Sequence, residues 1–257
     1  MRRAYHHGTD APVPDGTPRP LQEAIFEIYP SSSPGWSDLS YTRLAEAAGE
    51  KFAGPKETLR FMGLDVELGP DVRTPPTVKG APPRHRLWTP DKGEMFQFGP
   101  DVGAYNVMSS RYTHFPDHVP EMERLLGAYL EQTQPPLLNM VGQRYINKLL
   151  VDKDDVPEKY FQFYPRLPPA TAHRLFALQV ATETFEDGQV VVNLVHRGPE
   201  GSSAAYLLDI YAQAPTSTVQ PDVGSVIAWQ GLAHEFVRRA FMMALTQEAL
   251  DRWWGKK

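Results

Sequence analysis

The stretch from Arg84 to Ser110 does most to limit what this chain can become. "RHRLWT" (84–89) and "EMFQFG" (94–99) are strand-like runs separated only by Pro90-Asp91-Lys92-Gly93, and the turn "GPDVG" leads on into a third run ending at Ser110. Connections this short join antiparallel neighbours, whereas a parallel crossover needs a dozen or more residues. The chain must therefore build an antiparallel meander. The same signal returns in "AHRLFALQVATETFEDGQVVVNLVHRG", where Asp187-Gly188 is the strongest turn dipeptide in the sequence.

Other segments arrange themselves around these meanders. "EAIFEIYP" (23–30) reads as a first strand, and Leu39, Leu44, Ala47, Ala48 and Phe52 recur at helical spacing before Gly54-Pro55. Residues 69–83 hold five prolines and read as a surface loop. "FPDHVPEMERLLGAYLEQTQPP" predicts a helix with Val119, Met122, Leu126, Tyr129 and Leu130 on one face. "VGQRYINKLLV" (141–151) and "AAYLLDIYAQAP" (204–215) read as strands. A single long helix is expected over roughly 222–250, with Val226, Trp229, Ala233, Phe236, Ala240 and Met243 in its apolar stripe.

The order strand, connection, three-strand meander, long helix thus occurs twice. The expected fold class is α+β: antiparallel sheet with long helices packed on one face, and two β-x-βββ-α pseudo-repeats. The divisions are a loose N-terminal arm (1–20), a first half (21–136) and a second half (137–257) forming one compact unit.

A formal charge of −5 and a pI near 5.9 argue against general affinity for nucleic acid, which requires basic surface. A basic stripe would need Arg84, Arg86, Arg111 and Lys148 to lie together. The chain has no cysteine, which removes disulfides, thiol nucleophiles and thiolate metal sites, and fits the cytosol. No apolar run approaches the ~20 residues that span a bilayer, and the arm lacks the apolar core of a secretory signal. His6 and His7 lie on that arm with no third ligand, and "HEF" at His234 has Arg238 where the zinc motif needs a second histidine. No metal or cofactor is expected. Phosphate-binding, dinucleotide and serine-hydrolase signatures are missing.

Four polar residues in apolar elements are the candidate binding positions: Arg144, Asn147, Asp209 and His234. Alternation along a strand puts Arg144 with Ile146 and Lys148, and Asn147 with Tyr145 and Gln143 on the other face. Asp209 interrupts "YLLDIYA" beside Leu207 and Tyr211, so an Arg144–Asp209 pair across two strands is the expected arrangement, structural before functional. Asn147 is expected to satisfy backbone groups. His234 falls in an apolar row of the last helix, seven residues from both Ile227 and Phe241. It reads as a core histidine, or as a general base or ligand-sensing group. Trp253 and Trp254 suit a partner anchor, but the favoured expectation is that they pack the end of the last helix against the body.

On "EAIFEI", "FQFGPDVGAYNV", "GQRYIN", "LLDIYA" and "AHEFVRRAFMMALTQEALDRWWG", the chain resembles a sporadically distributed bacterial family of uncharacterised proteins of this length. The likeness runs from about residue 21 to 255. It marks Glu23, Arg144, Tyr145, Asn147, Asp209 and His234 as matching the family's pattern, and it implies no reaction.

The functional expectation is a cytoplasmic, non-enzymatic protein that binds another macromolecule, as regulator or accessory subunit of a bacterial multi-gene, defence-type system. A partner protein is expected, with self-association left open, and neither nucleic acid nor membrane. The competing expectation is a small-ligand sensor or enzyme whose pocket lies between sheet and C-terminal helix, with Arg144 holding an anion and His234 carrying a proton.

Overall fold

In the computed structural model, residues 20–60, 62–65, 77–80, 82–164, 176–185, 188–215 and 218–254 are described. The N-terminal arm with His6 and His7, most of the proline-rich 69–83 segment, and Asp187 of the long hairpin's turn lie outside them.

Eleven strands are present among the described residues: β1 (Leu21–Pro30), β2 (Lys56–Leu59), β3 (Met62–Asp65), β4 (Thr77–Gly80), β5 (Arg84–Trp88), β6 (Glu94–Gly99), β7 (Val102–Met108), β8 (Leu138–Asp152), β9 (Phe176–Phe185), β10 (Gly188–Glu200) and β11 (Ser203–Pro215). Nine of them form one antiparallel sheet in the order β2-β5-β6-β7-β1-β8-β11-β10-β9, and β3 pairs with β4 separately. The fold is α+β. Part of the presumed proline-rich loop is therefore strand: Thr77–Gly80 hydrogen-bonds to Met62–Asp65 in a register a local reading cannot see. The meander β5-β6-β7 returns to β1, and β9-β10-β11 returns to β8. Nine β1–β8 register positions, from Leu21↔Asn147 to Pro30↔Leu138, join the halves.

The helices are α1 (Ser40–Ala48), α2 (Phe115–Thr133), α3 (Val223–Ala244) and α4 (Gln247–Trp254). Alternation decides which strand side chains α2 and α3 meet. Ala24, Phe26 and Ile28 on β1, and Val141, Gln143, Tyr145, Asn147, Leu149 and Val151 on β8, are buried. Phe26 packs against Phe115 of α2 at 5.8 Å and edge-on to Tyr145 at 6.3 Å. Where α2 crosses β7, Tyr129 lies over Gly103 and donates its hydroxyl to the Gly99 carbonyl at 2.8 Å. The opposite strand face carries Glu23, Ile25, Glu27 and Tyr29 of β1 with Arg144, Ile146 and Lys148 of β8.

Two helix boundaries differ from the periodicity. The first helix begins only at Ser40, so Leu39 stands at its N-cap and is 58% exposed instead of joining the apolar face. The long C-terminal helix is broken. Leu245 is extended and bridges Phe161, the Thr246 N–H donates to the Tyr160 carbonyl, and Gln162 N–H donates to that of Ala244. Thr246 then starts α4, its Oγ1 accepting from the Ala249 N–H at 3.2 Å while donating to the Lys159 carbonyl at 2.6 Å. Pairing with a distant segment overrides helical spacing. Trp253 is buried, packed on Tyr160 with ring centres 5.6 Å apart.

No helix among the described residues is long and apolar enough to cross a membrane.

Candidate functional site

β8 presents two different polar systems, one on each side of the sheet. Arg144 lies on the face away from α3. Its Nε and Nη2 reach the two carboxylate oxygens of Asp209 at 2.7 Å each. Asn193 on β10 adds a third contact, its Nδ2 donating to Asp209 Oδ2 at 3.2 Å. The fork matches the carboxylate in geometry and charge, and the hydrogen bond to Asp209 holds the Arg144 guanidinium above its already high ordinary range. Asp209 is buried, whereas the Arg144 side chain is 40% exposed, so the pair's cationic end reaches solvent.

Aromatic and acidic groups surround it. The Arg144 guanidinium carbon stands 6.0 Å from the Tyr211 ring centre, and Tyr29 donates its hydroxyl to Glu27 at 2.9 Å. Burial first, then the negative charge of Glu27, raises the phenols of both Tyr29 and Tyr211. Further along β1, Asn106 of β7 donates to Glu23 at 2.6 Å.

On the helix side, the Tyr145 hydroxyl is a junction. It lies 2.9 Å from the Tyr112 hydroxyl, 2.9 Å from Gln143 Nε2 and 3.0 Å from His234 Nδ1. A hydroxyl donates once and accepts twice. Gln143 uses one acceptance, so Tyr112 and His234 between them hold the remaining donation and acceptance. The proton positions on Tyr112 and His234 are thereby linked through Tyr145. Burial pushes the Tyr145 phenol well above its usual range, which keeps it a neutral relay. Phe115 stacks on the His234 ring with centres 4.9 Å apart and planes 12° apart.

Asn147 is buried and its Nδ2 donates to the Leu208 carbonyl at 3.2 Å, a backbone-satisfying role. Gln230 of α3 is fully buried and donates to the Gly142 carbonyl at 3.4 Å. Tyr112, Gln143 and Gln230 join this cluster without a motif that marks them in the sequence. The alternation that paired Gln143 with Tyr145 and Asn147 was the available signal, but only the fold brings Tyr112 and α3 to them.

The four candidate residues therefore divide. Arg144 and Asp209 are together on one face; Asn147 and His234 lie on the other, with a sheet between. Among the described residues, Arg144 and Asp209 therefore do not share one side of the sheet with His234. Two shallow surface depressions, of about 310 and 240 Å³, are lined respectively by Lys51, Glu94 and Arg111, and by Arg43, Glu131 and Gln132. Neither touches these groups.

The basic residues considered for a nucleic-acid stripe are all engaged. Arg84 pairs with Asp101 at 2.7 Å, Arg111 with Asp91 at 2.5 Å and Lys148 with Glu200 at 2.6 Å, while Arg86 donates to Gln97 at 2.7 Å. Among the described residues, no three His, Asp or Glu side chains come close enough to hold a metal ion. No protein-family model matches the chain, and no curated protein matches it.

Proposed function

We propose that this chain is a non-enzymatic, protein-binding accessory subunit or regulator, which engages its partner through the sheet face bearing Arg144. The observation that carries the reading is the arrangement of that face. Arg144 is fixed by Asp209, which Asn193 also holds, yet is 40% exposed, with half-buried Tyr211 beside it and half-buried Ile25 opposite it in register. Arginine and tyrosine held in place before binding are the residues that dominate protein interfaces, because little side-chain entropy is lost on contact. The neutralised Arg84, Arg111 and Lys148 favour a protein over a nucleic acid. The division of Arg144 and His234 between two faces weighs against the small-ligand pocket.

The strand order supports an internal duplication, since β5-β6-β7-β1 and β9-β10-β11-β8 meet back to back at the β1–β8 pair. Two fused copies give a sheet wide enough to present such a face. A cytoplasmic setting and membership of the sporadic bacterial family are parts of the same proposal.

The test is affinity capture of the tagged full chain from its source cells, beside an Ile25→Lys variant. Ile25 lies opposite both Asn106 and Arg144 in register, at the middle of this face. One protein should co-purify with the wild type and be lost with the variant at unchanged melting temperature. Repeated recovery of the wild-type chain without a partner would overturn the reading.

A further inference from the structure

The two margins of the sheet are built differently. β2 is four residues long and its Lys56 and Glu57 are exposed, which are the usual devices against unwanted strand addition. β9 runs for ten residues, and from Phe176 to Thr182 it contains no charge, proline or glycine. Among the described residues it pairs with β10 alone. Leu178 and Val180 oppose Leu194 and Val192, which are 0% and 2% exposed, yet they themselves are only half-buried. Ala177, Gln179 and Ala181 on the other face are exposed. An uncharged edge segment of seven residues, Phe176 to Thr182, with its core-side apolar groups incompletely covered, is a template for another strand.

We propose that β9 is a self-association edge, pairing antiparallel with β9 of a second copy about a twofold axis at Gln179. The strand's own sequence selects that occupant. With the axis there, Leu178 falls opposite Val180 of the second copy and Ala177 opposite its Ala181. Small residues meet on one face, and apolar residues continue the core layer of Val192 and Leu194 on the other. The two Gln179 carboxamides meet on the axis and can exchange hydrogen bonds. No like charges come face to face. Gln179 shares the Arg144 face but lies at its margin, with β10 and β11 between β9 and β8; sedimentation of the purified chain reads the dimer alone, so the dimer and the proposed partner protein succeed or fail separately.

Sedimentation equilibrium of the full chain tests it. The wild type should show a concentration-dependent monomer–dimer equilibrium. Gln179→Lys, at an exposed position, should melt like the wild type but raise the dimer dissociation constant about fivefold or more, since like charges then lie directly opposite. Gln179→Glu should weaken it similarly, and an equimolar mixture of the two variants should recover the wild-type affinity. A wild type that stays monomeric throughout, or a Gln179→Lys chain that associates as the wild type does, overturns the proposal.

Discussion

Arg144 and Asp209 do not lie directly opposite each other. The register sets Tyr211 across from Arg144 and Ile146 across from Asp209, so the two-pronged ion pair runs diagonally between β8 and β11. A diagonal contact is within reach of a long side chain, and it locks the relative register of two strands at the sheet's centre. The carboxylate is the buried member.

Arg144→Ala should therefore act through Asp209, left as a buried carboxylate with Asn193 as its one remaining side-chain donor among the described residues. Removing one partner of a fully buried pair costs about 3–5 kcal/mol. Because the arginine reaches solvent, about 1–3 kcal/mol is expected, or roughly 3–10 °C in melting temperature for a chain of this size. Arg144→Lys should recover little, since lysine lacks the fork. Arg144→Met with Asp209→Leu should be more stable than either single change by thermal denaturation. Unchanged melting in Arg144→Ala would remove the structural role.

Tyr145→Phe deletes the junction hydroxyl while keeping the ring. Gln143 Nε2, Tyr112 and His234 each lose the partner they share. Leaving the fully buried Gln143 amide nitrogen unsatisfied costs about 1–3 kcal/mol, so calorimetry should show melting lowered by several degrees, with secondary structure by circular dichroism unchanged.

Gly103→Ala tests the close approach of α2 to β7. A Cβ there would stand 2.6 Å from the Tyr129 ring, which is fully buried and tethered to the Gly99 carbonyl. The ring cannot yield cheaply, so a loss of about 1–3 kcal/mol in denaturant unfolding is expected despite alanine's higher strand propensity than glycine's.

His118 makes stability depend on pH. It is buried near the start of α2, with Nδ1 at 3.5 Å from the Tyr105 hydroxyl and Nε2 accepting from the Thr113 N–H at 3.5 Å. Tyr105 donates to Glu94 at 2.5 Å, and Glu94 pairs with Lys51 at 2.5 Å. Tyr112 stacks on the His118 ring at 5.1 Å. Burial lowers its pKa below the ordinary 6.5, more than the charges of Glu94 and Asp117 raise it. The folded state then binds fewer protons than the unfolded state, so stability is full above about 6.5 and falls as pH drops from there towards the folded value. His85 shifts the same way through burial and adds to the slope. Urea midpoints between pH 7.5 and 5 (about the histidine range) should decline, and His118→Gln should flatten the decline. An unchanged slope in His118→Gln would assign the pH dependence to other groups.

Turn chemistry and alternation made the meanders, the facing of β8 and the Arg144–Asp209 pairing legible in the sequence, because these depend on neighbours within a few residues or on a simple period of two. The break at Leu245 was not legible, since it is set by the 160–162 segment more than eighty residues away. The β3–β4 pairing hid within a proline-rich stretch for the same reason. Tyr112 reads as an ordinary loop tyrosine until β8 and α3 bring Tyr145 and His234 to it.

A partner protein, as proposed, binds the Arg144 face of the sheet. A photo-crosslinking amino acid placed at Gln213, on that face of β11, tests it directly in living source cells, with the same group at exposed Glu123 of α2 as the control. Gln213 should yield one abundant protein adduct, and Glu123 none of that mass. No adduct from Gln213, or the same adducts from both positions, would contradict it.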